Sequence, residues 1–370
     1  MTISSLNTTM KVGMFGMSKI MPTPYFVMYE NKLMQNLNKL KELEEKTNVH
    51  ILHTVKSFNQ SSVLPTISEK LSGISITSPK ELGMAQTANA KHIHLYAPAF
   101  KYDVLESMSK DISTLSLNSL NQWETFKTLI VSKGLRINPK LSLEIPEHCN
   151  PNVTDSRLGI DAVEFLDNYH NNSNQFNQLE GLHFHALFQD KGEGFTLLIQ
   201  YIEKNYSAVL PKLKWINLGG GHDFTSPNYD VDTFVKLLND FESSYPNIKI
   251  YFEPGETVTQ SCGDFVTTVL DIVTVNKKQI AILDTSIETH LLDVAIVQQK
   301  LKVQNTNQEP TPYLYELSGN SCLQGDIIGT YFFTKDLQVG EQIIFEDMMP
   351  YTMVKMTKFN GMEKAKFYLV

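Results

Sequence analysis

The sequence is poor in cysteine, which occurs three times in 370 residues. Cys149, Cys262 and Cys322 are widely spaced and form no CxxC pair, so the sequence predicts neither a disulfide framework nor a zinc site, and no metal is expected. Few and unpaired cysteines are typical of proteins in a reducing compartment. We therefore predict a cytoplasmic location.

The sequence also lacks an excess of positive charge and any long apolar run. It has 32 Lys and Arg residues against 40 Asp and Glu, for a net charge of −8, whereas nucleic acid binding needs a basic surface. No run is long enough to span a bilayer, and the methionine-rich residues 1–21 contain no signal-peptide core. These features argue against nucleic acid and membrane partners, and we interpret the first residues as a lead.

From Tyr25 onward, short apolar runs alternate with stretches of helical periodicity. The eight predicted strands are His50–Lys56, Gly73–Thr77, His92–Ala97, Thr114–Asn118, Gly134–Asn138, Gly181–Ala186, Lys214–Leu218 and Ile248–Phe252. The predicted helices are Leu33–Glu44, Pro79–Ala90, Leu120–Val131, Phe195–Val209 and Val231–Tyr245. This alternation matches a TIM barrel, which we assign to residues 31–260. A doubly wound open sheet is the alternative, but its Gly-rich turn would follow the first strand rather than the seventh.

The pattern changes after Glu256. Short strands separated by turn signals follow, at Asp264–Val275, Gln279–Asp284, Pro312–Leu317, Asp326–Phe333 and Glu341–Glu346. They predict a β-rich domain over residues 261–370. Residues 1–30 are expected to supply a lead and a first strand that packs with this domain. The expected fold class is thus an α/β TIM barrel with a second, C-terminal β-rich domain.

Lys56 closes the first apolar run of the predicted barrel. A lysine at a buried strand end needs a partner or a chemical role, because desolvating an ammonium group is costly. Lys56 is therefore a candidate Schiff-base lysine, although lysines are usually exposed and this one could hold its amine in water. Catalytic residues of TIM barrels lie at the C-terminal ends of the strands, which is where Lys56 is predicted.

Other polar residues fall at the same strand ends. His183 and His185 share one strand face, Gly219–Gly221 follow the seventh strand, and Glu253 follows the eighth. Taken singly, the histidines could be core residues and the glutamate could begin a Pro-Gly turn. However, consecutive glycines let backbone N–H groups approach a phosphate. A lysine, a stacking histidine, a phosphate loop and a carboxylate are together what pyridoxal 5'-phosphate requires.

Eight sequence words stand in order along the chain: SRLG at Ser156–Gly159, GLHFHAL at Gly181–Leu187, NLGGGH at Asn217–His222, EPGE at Glu253–Glu256, LDTS at Leu283–Ser286, SCLQGD at Ser321–Asp326, FEDMMPYTMVK at Phe345–Lys355 and FNG at Phe359–Gly361. In this order they resemble the fold-type III pyridoxal-phosphate decarboxylases, which include ornithine and diaminopimelate decarboxylases. Within that family, the resemblance is to the carboxynorspermidine/carboxyspermidine decarboxylase branch. It runs from Pro22 to Gly361, nearly the entire chain.

The resemblance implies a role for each site residue. Lys56 would hold the cofactor as a Schiff base, His185 would stack on its ring, and Glu253 would face the ring nitrogen. Cys322 would reach in from the partner subunit of a homodimer with shared active sites and protonate the substrate carbon. The implied cofactor contacts are those of Lys56, Arg136, His185, Gly219, Gly220, Gly221, Glu253 and Tyr351, the last against the phosphate.

Two departures from the ornithine enzymes concern the substrate. Glu256 stands where those enzymes have an arginine, and Leu323 stands where they have an acidic residue. Both agree with the carboxynorspermidine branch, and the predicted substrate-binding residues are Glu256 and Asp326. The expected activity is decarboxylation of a small cationic substrate, carboxynorspermidine or carboxyspermidine, to norspermidine or spermidine in polyamine biosynthesis.

Three alternatives stay open. Ile287–Val303 lacks the Met-Pro and Pro-Tyr-Arg-Pro words that the resemblance leads us to expect. The chain could therefore be a decarboxylase of the same fold that acts on another amino acid or on a siderophore-pathway intermediate. An amino-acid racemase would keep Lys56 but release no carbon dioxide. A non-catalytic relative is opposed by the joint retention of Lys56, Glu253 and Cys322.

Overall fold

The structure is a computed structural model that describes residues 21–370. The predicted lead at residues 1–20 lies outside the described residues. The chain divides into two compact units, of which one is Gln35–Val258 and the other combines residues 21–34 with Thr259–Val370. Within residues 21–370, no helix is both long enough and apolar enough to cross a membrane.

The strands and helices are numbered in chain order. The strands are β1 Tyr25–Met28, β2 His50–Thr54, β3 Gly73–Ile76, β4 Ile93–Tyr96, β5 Thr114–Leu117, β6 Ser132–Asn138, β7 Ile160–Asp161, β8 Gly181–Phe184, β9 Trp215–Asn217, β10 Lys249–Phe252, β11 Gly263–Val275, β12 Lys278–Leu283, β13 Thr306–Asn307, β14 Tyr313–Ser318, β15 Ile327–Phe333, β16 Gln342–Phe345 and β17 Lys366–Leu369. The α-helices are α1 Glu30–Thr47, α2 Leu64–Lys70, α3 Pro79–Thr87, α4 Tyr102–Ser109, α5 Leu120–Phe126, α6 Ala162–Asn171, α7 Glu193–Tyr206, α8 Val231–Ser244, α9 Glu256–Thr259, α10 Ile287–His290 and α11 Leu292–Val297.

The unit Gln35–Val258 contains a closed barrel of parallel strands. The order around the barrel is β2-β3-β4-β5-β6-β8-β9-β10, and the pairing of β10 with β2 closes it. The short strand β7 pairs with β6 beside the barrel. The predicted TIM barrel is therefore confirmed. The open-sheet alternative is wrong, because an open sheet would leave its two edge strands unpaired.

All the strands predicted for the barrel are present, with ends shifted by one or two residues. The sequence pattern does not predict α2, α4 and α6. These helices have 7, 8 and 10 residues.

Serine caps determine where two of the barrel helices begin. Ser78 Oγ accepts the Glu81 N–H at the start of α3, while the Glu81 carboxylate accepts the Thr77 N–H. Ser119 and Gln122 form the corresponding cap of α5. Such caps satisfy N–H groups that the first helical turn leaves unpaired. They therefore also set the level at which β3 and β5 end.

Trp215 fills the amino-terminal end of the barrel interior. A Cβ atom at Gly181 would lie 2.1 Å from its ring, and one at Gly134 would lie 2.6 Å from it. The indole packs with Leu52 and Tyr251 in a buried cluster. This end of the barrel is thus closed by apolar packing, and polar side chains collect towards the carboxyl-terminal ends of the strands.

The other unit is built on one mixed sheet. Its strand order is β13-β15-β14-β12-β11-β1-β17, and β16 also pairs with β11. β11 is 13 residues long and changes register between Val269 and Asp271. It pairs with β1 and β16 before this bulge and with β12 from it onward. The predicted β-rich C-terminal architecture is confirmed, with β13 and β17 as additional strands.

Candidate active site

Lys56 lies in the turn that follows β2. The Thr54 N–H donates to the carbonyl oxygen of Pro254 at 3.3 Å, and the Thr54 hydroxyl donates to the carbonyl oxygen of Glu253 at 2.9 Å. These two hydrogen bonds hold the turn beside the end of β10. The Lys56 side chain is open to solvent at the barrel mouth, but protein atoms crowd around it. Desolvation lowers the pKa of its amine, and Arg136 adds to this lowering while Glu253 opposes it.

Glu253 directly follows β10, and its side chain is 9% exposed. Its Oε1 accepts a hydrogen bond from Asn217 Nδ2 at 2.8 Å. His94 Nε2 lies 3.5 Å from Oε1, and His183 Nε2 lies 3.8 Å from Oε2. Asn217 Oδ1 accepts the Gly219 N–H at 2.8 Å, so the amide nitrogen of Asn217 must point towards the carboxylate.

The histidines of the barrel interior are neutral. Burial lowers the pKa of His94, and burial together with Arg136 lowers the pKa of His183 and of His185 well below the usual value. His185 Nδ1 accepts the Gly220 N–H at 2.9 Å. Its proton therefore sits on Nε2, which holds the ring in one tautomer and one orientation.

The loop Gly219–Gly221 is pressed against the neighbouring strand ends. Gly219 and Gly221 have φ angles of +69° and +90°, where side chains are disfavoured. A Cβ atom at Gly220 would lie 2.4 Å from the Glu253 carbonyl oxygen, and one at Gly221 would lie 2.0 Å from that of Leu187. The loop therefore presents backbone without side chains at the barrel mouth, and the N–H groups of Gly219 and Gly220 are donated to Asn217 Oδ1 and His185 Nδ1.

Arg136 is buried on β6, with its guanidinium carbon 4.6 Å from the ring centre of Tyr96. Its Nε has no hydrogen-bond partner among the residues that the structure describes. A buried N–H without an acceptor is costly, which supports an acceptor on a bound ligand. Gly159, at φ +91°, makes room for this side chain, since a Cβ there would lie 3.2 Å from Arg136 Cγ.

Glu256 begins the short helix α9, and its Oε1 accepts a 3.1 Å hydrogen bond from Gln189 Nε2. Gln189 lies in the segment that follows His185, so Glu256 is tied to the same strand end as the predicted stacking histidine. The barrel unit therefore contains, on or after the ends of its strands, the predicted residues Lys56, Arg136, His185, Gly219, Gly220, Gly221, Glu253 and Glu256.

The remaining predicted residues, Cys322, Asp326 and Tyr351, belong to the other unit. Cys322 is exposed in the loop between β14 and β15. The buried carboxylate of Asp326 holds this loop, because it accepts the N–H groups of Ser321 at 3.0 Å and Ile287 at 2.8 Å. Tyr351 has φ +62°, a conformation that bulky residues adopt only where the surrounding structure imposes it.

Sequence reasoning missed several polar residues that contact the predicted ones, namely Tyr96, His94, Ser116 and Asn217. A signal was available for two of them. His94 and Tyr96 stand at alternate positions of β4, and His92 continues this alternation just before the strand, which indicates that the three residues share one face.

Comparison with known proteins supports the predicted family. A family model described as "Pyridoxal-dependent decarboxylase, C-terminal sheet domain" matches residues 26–349. The chain is 35% identical to a carboxynorspermidine/carboxyspermidine decarboxylase of Campylobacter jejuni, over 94% of this chain and 93% of that one. It is 34% identical to a carboxyaminopropylagmatine decarboxylase of Synechocystis sp., over 92% and 88% respectively.

A solved structure shows the same likeness. The crystal structure of carboxynorspermidine decarboxylase from Campylobacter jejuni, in complex with norspermidine, aligns with a TM-score of 0.86 at 34% identity and covers 94% of both chains. Diaminopimelate decarboxylase from Helicobacter pylori aligns with a TM-score of 0.82 at 19% identity, which shows the shared fold.

The buried neutral histidines predict that mild acid destabilises the chain. Burial lowers the pKa of His53 to about 4 and that of His222 to about 3, whereas in the unfolded chain both rings take up protons near pH 6.5. Below that pH the unfolded state binds more protons, so the free energy of unfolding falls by up to about 1.4 kcal/mol per pH unit for each such ring. Urea unfolding at pH 7.5, 6 and 5 measures this slope.

His222→Phe supplies the matched control, because the His222 ring is stacked 4.7 Å from Phe224 inside an aromatic cluster. The variant removes one titrating ring, so its stability should depend less steeply on pH. An unchanged slope would contradict the assignment of His222 as a buried neutral histidine.

Proposed function

Because the chain belongs to the family of pyridoxal-dependent decarboxylases, we propose that it removes the α-carboxylate of a carboxylated polyamine and so forms norspermidine or spermidine in polyamine biosynthesis. The observation that carries this proposal is the similarity to the Campylobacter jejuni enzyme along nearly the full length of both chains. The polar mouth of the barrel supplies the residues for the chemistry.

The barrel mouth fits pyridoxal 5'-phosphate as the cofactor. Gly219–Gly221 place backbone without side chains at the barrel mouth, where the phosphate would lie, and the unpartnered Nε of Arg136 would help to hold the cofactor. The Glu253 carboxylate suits a protonated ring nitrogen. The neutral His185, held in one tautomer by the Gly220 N–H, would stack on the ring.

Lys56 would form the Schiff base. Its lowered pKa leaves more of the amine unprotonated, and the neutral amine is the form that attacks a carbonyl carbon. Bound pyridoxal phosphate supplies an electron sink for the pair that is released when the bond to the carboxylate breaks. Glu253 would keep a proton at the ring nitrogen by accepting its hydrogen bond, which is an electrostatic contribution in place before the reaction begins.

The proposed substrate-binding residues are Glu256 and Asp326. Glu256 offers a carboxylate at the barrel mouth, which suits a cationic amine of the substrate. Asp326 would act on the substrate through the loop that carries Cys322, because its carboxylate already accepts two backbone N–H groups of this unit.

One competing substrate is favoured by a specific observation. The Synechocystis relative, at 34% identity, carries the name carboxyaminopropylagmatine decarboxylase, so a carboxylated aminopropyl derivative of agmatine is the second candidate. A different amino acid or a siderophore-pathway intermediate remains the alternative outside the carboxylated polyamines.

Carbon dioxide release by the cofactor-loaded protein tests the proposal. The panel comprises carboxynorspermidine, carboxyspermidine, carboxyaminopropylagmatine, diaminopimelate, ornithine and lysine. We expect kcat/KM for the first two to exceed that for the last three by roughly 100-fold or more, the scale at which a site built for extra polar groups rejects a substrate that lacks them. Lys56→Ala should lose both the visible absorption of the cofactor and the release of carbon dioxide.

Turnover of ornithine or lysine in preference to the carboxylated polyamines would contradict the proposed substrate. Preference for carboxyaminopropylagmatine would replace it with the second candidate. Retention of the visible band in Lys56→Ala would remove Lys56 from its role.

The proposal includes a cytoplasmic homodimer with shared active sites. Cys322 is exposed on its loop and free of any disulfide, as a thiol that protonates the substrate carbon in the partner's site must be. Tyr351 would lie against the cofactor phosphate.

Co-expression of Lys56→Ala and Cys322→Ala chains with different tags tests the shared sites. In the purified mixed dimer one site carries both changes and the other carries neither, so we expect about half of the wild-type activity from a twofold assembly. The control is a mixed dimer of Lys56→Ala with Lys56→Met, which should be inactive. Equal inactivity of both mixed dimers would contradict sharing of the site.

A further inference from the structure

Three histidines and two hydroxyl groups form a continuous row inside the barrel. His92 Nε2 lies 2.9 Å from Thr114 Oγ1, which lies 2.7 Å from His94 Nδ1. His94 Nε2 lies 3.0 Å from Ser116 Oγ, which lies 3.2 Å from His183 Nδ1. The row begins at the half-buried His92 and ends with His183 Nε2 facing the Glu253 carboxylate at 3.8 Å.

A proton on His183 Nε2 fixes the position of every other proton in the row. Burial keeps the three rings neutral, lowering the pKa of His92 to about 3 and also lowering that of His94 and His183. A neutral imidazole has one N–H and one lone pair, and a hydroxyl has one hydrogen to donate. If every link is a hydrogen bond and His183 carries its proton on Nε2, Ser116 donates to His183 Nδ1 and accepts from His94 Nε2. Thr114 then donates to His94 Nδ1 and accepts from His92 Nε2.

Glu253 favours this arrangement. In it, His183 directs its Nε2–H at the carboxylate over 3.8 Å, while the His94 Nε2–H, which donates to Ser116 Oγ at 3.0 Å, lies 3.5 Å from the same carboxylate. With its proton on Nδ1, His183 would direct an Nε2 lone pair at Glu253. An ionised carboxylate only accepts hydrogen bonds, so it attracts the N–H dipoles and repels the lone pairs. The carboxylate therefore favours the proton on His183 Nε2.

We propose that His92, Thr114, His94, Ser116 and His183 form a directional hydrogen-bonded wire that presents the Nε2–H of His183 to the Glu253 carboxylate. This inference rests on the proposed function, in which Glu253 faces the ring nitrogen of the cofactor. The five residues are positioning residues, because they act through Glu253.

The wire supplies an uncharged N–H group to the buried Glu253 carboxylate. With Asn217 Nδ2 at 2.8 Å and His183 Nε2 at 3.8 Å, the carboxylate faces N–H groups that carry no net charge. A cationic partner in their place would compete with the protonated ring nitrogen for Glu253. The wire therefore links the orientation of this His183 N–H to the tautomers of all three histidines.

The tautomers can be measured on the apoenzyme by ¹⁵N NMR of protein labelled at histidine, with His94→Gln and His183→Gln variants to assign the signals. We expect His94 and His183 to carry their protons on Nε2. Protons on Nδ1 of either ring would overturn the proposal. This measurement needs neither substrate nor cofactor, so its outcome is independent of whether the proposed activity is found.

Ser116→Ala tests the wire, because it removes the hydroxyl between His94 and His183. His183 should lose its single tautomer. The kcat should fall by roughly 10-fold with a smaller change in KM, which is the scale of loss seen when the hydrogen-bond partners of metal-binding histidines are removed. Ser116→Thr retains the hydroxyl and should restore both properties.

Ser75→Ala is the matched control, since Ser75 is a buried serine on the neighbouring strand β3 and lies outside the wire. It should leave the His183 signals unchanged. If Ser116→Ala and Ser75→Ala have the same histidine signals, the wire does not exist. If Ser116→Ala disorders the His183 tautomer but kcat stays that of the wild type, the wire has no bearing on the proposed reaction.

Discussion

The structure of the barrel mouth depends on the burial of the Glu253 carboxylate. A carboxylate can be buried only where donors or cations replace the water that it loses. Here the replacement is made by Asn217 Nδ2, by the Nε2 atoms of His94 and His183, and by the field of Lys56 and Arg136. These groups come from β9, β4, β8, β6 and the turn after β2, so the requirements of one side chain reach across most of the barrel.

Backbone geometry at the mouth follows from the same constraint. Asn217 can present its amide nitrogen to Glu253 because its oxygen accepts the Gly219 N–H. The next residue, Gly220, uses its own N–H to hold His185. The glycines are needed because Gly220 approaches the carbonyl oxygen of Glu253 more closely than any side chain would allow. The loop that would receive the phosphate thus also orients the carboxylate and the stacking histidine.

Much of this could be predicted from the sequence, because its strongest signals are local. Each barrel strand is a short apolar run, and Lys56, His185 and Glu253 each stand at or just after the end of such a run. The helices α2, α4 and α6 escape prediction although the predicted α5 is no longer than α2, so their length alone does not explain it. The row from His92 to His183 escapes prediction because it is not local. Its links join strands separated by some 20 to 70 residues, and only the closure of the barrel brings them together.

The account makes Glu253 the group that controls the reactivity of a bound cofactor, and the most direct test is Glu253→Gln in the cofactor-loaded enzyme. A glutamine of the same size retains the shape of the site but cannot hold a positive charge at the ring nitrogen. We predict that kcat falls by roughly 100-fold or more, as expected when a preorganised electrostatic contact is lost, while the Kd for pyridoxal phosphate changes far less. A variant with the kcat of the wild type would contradict this account.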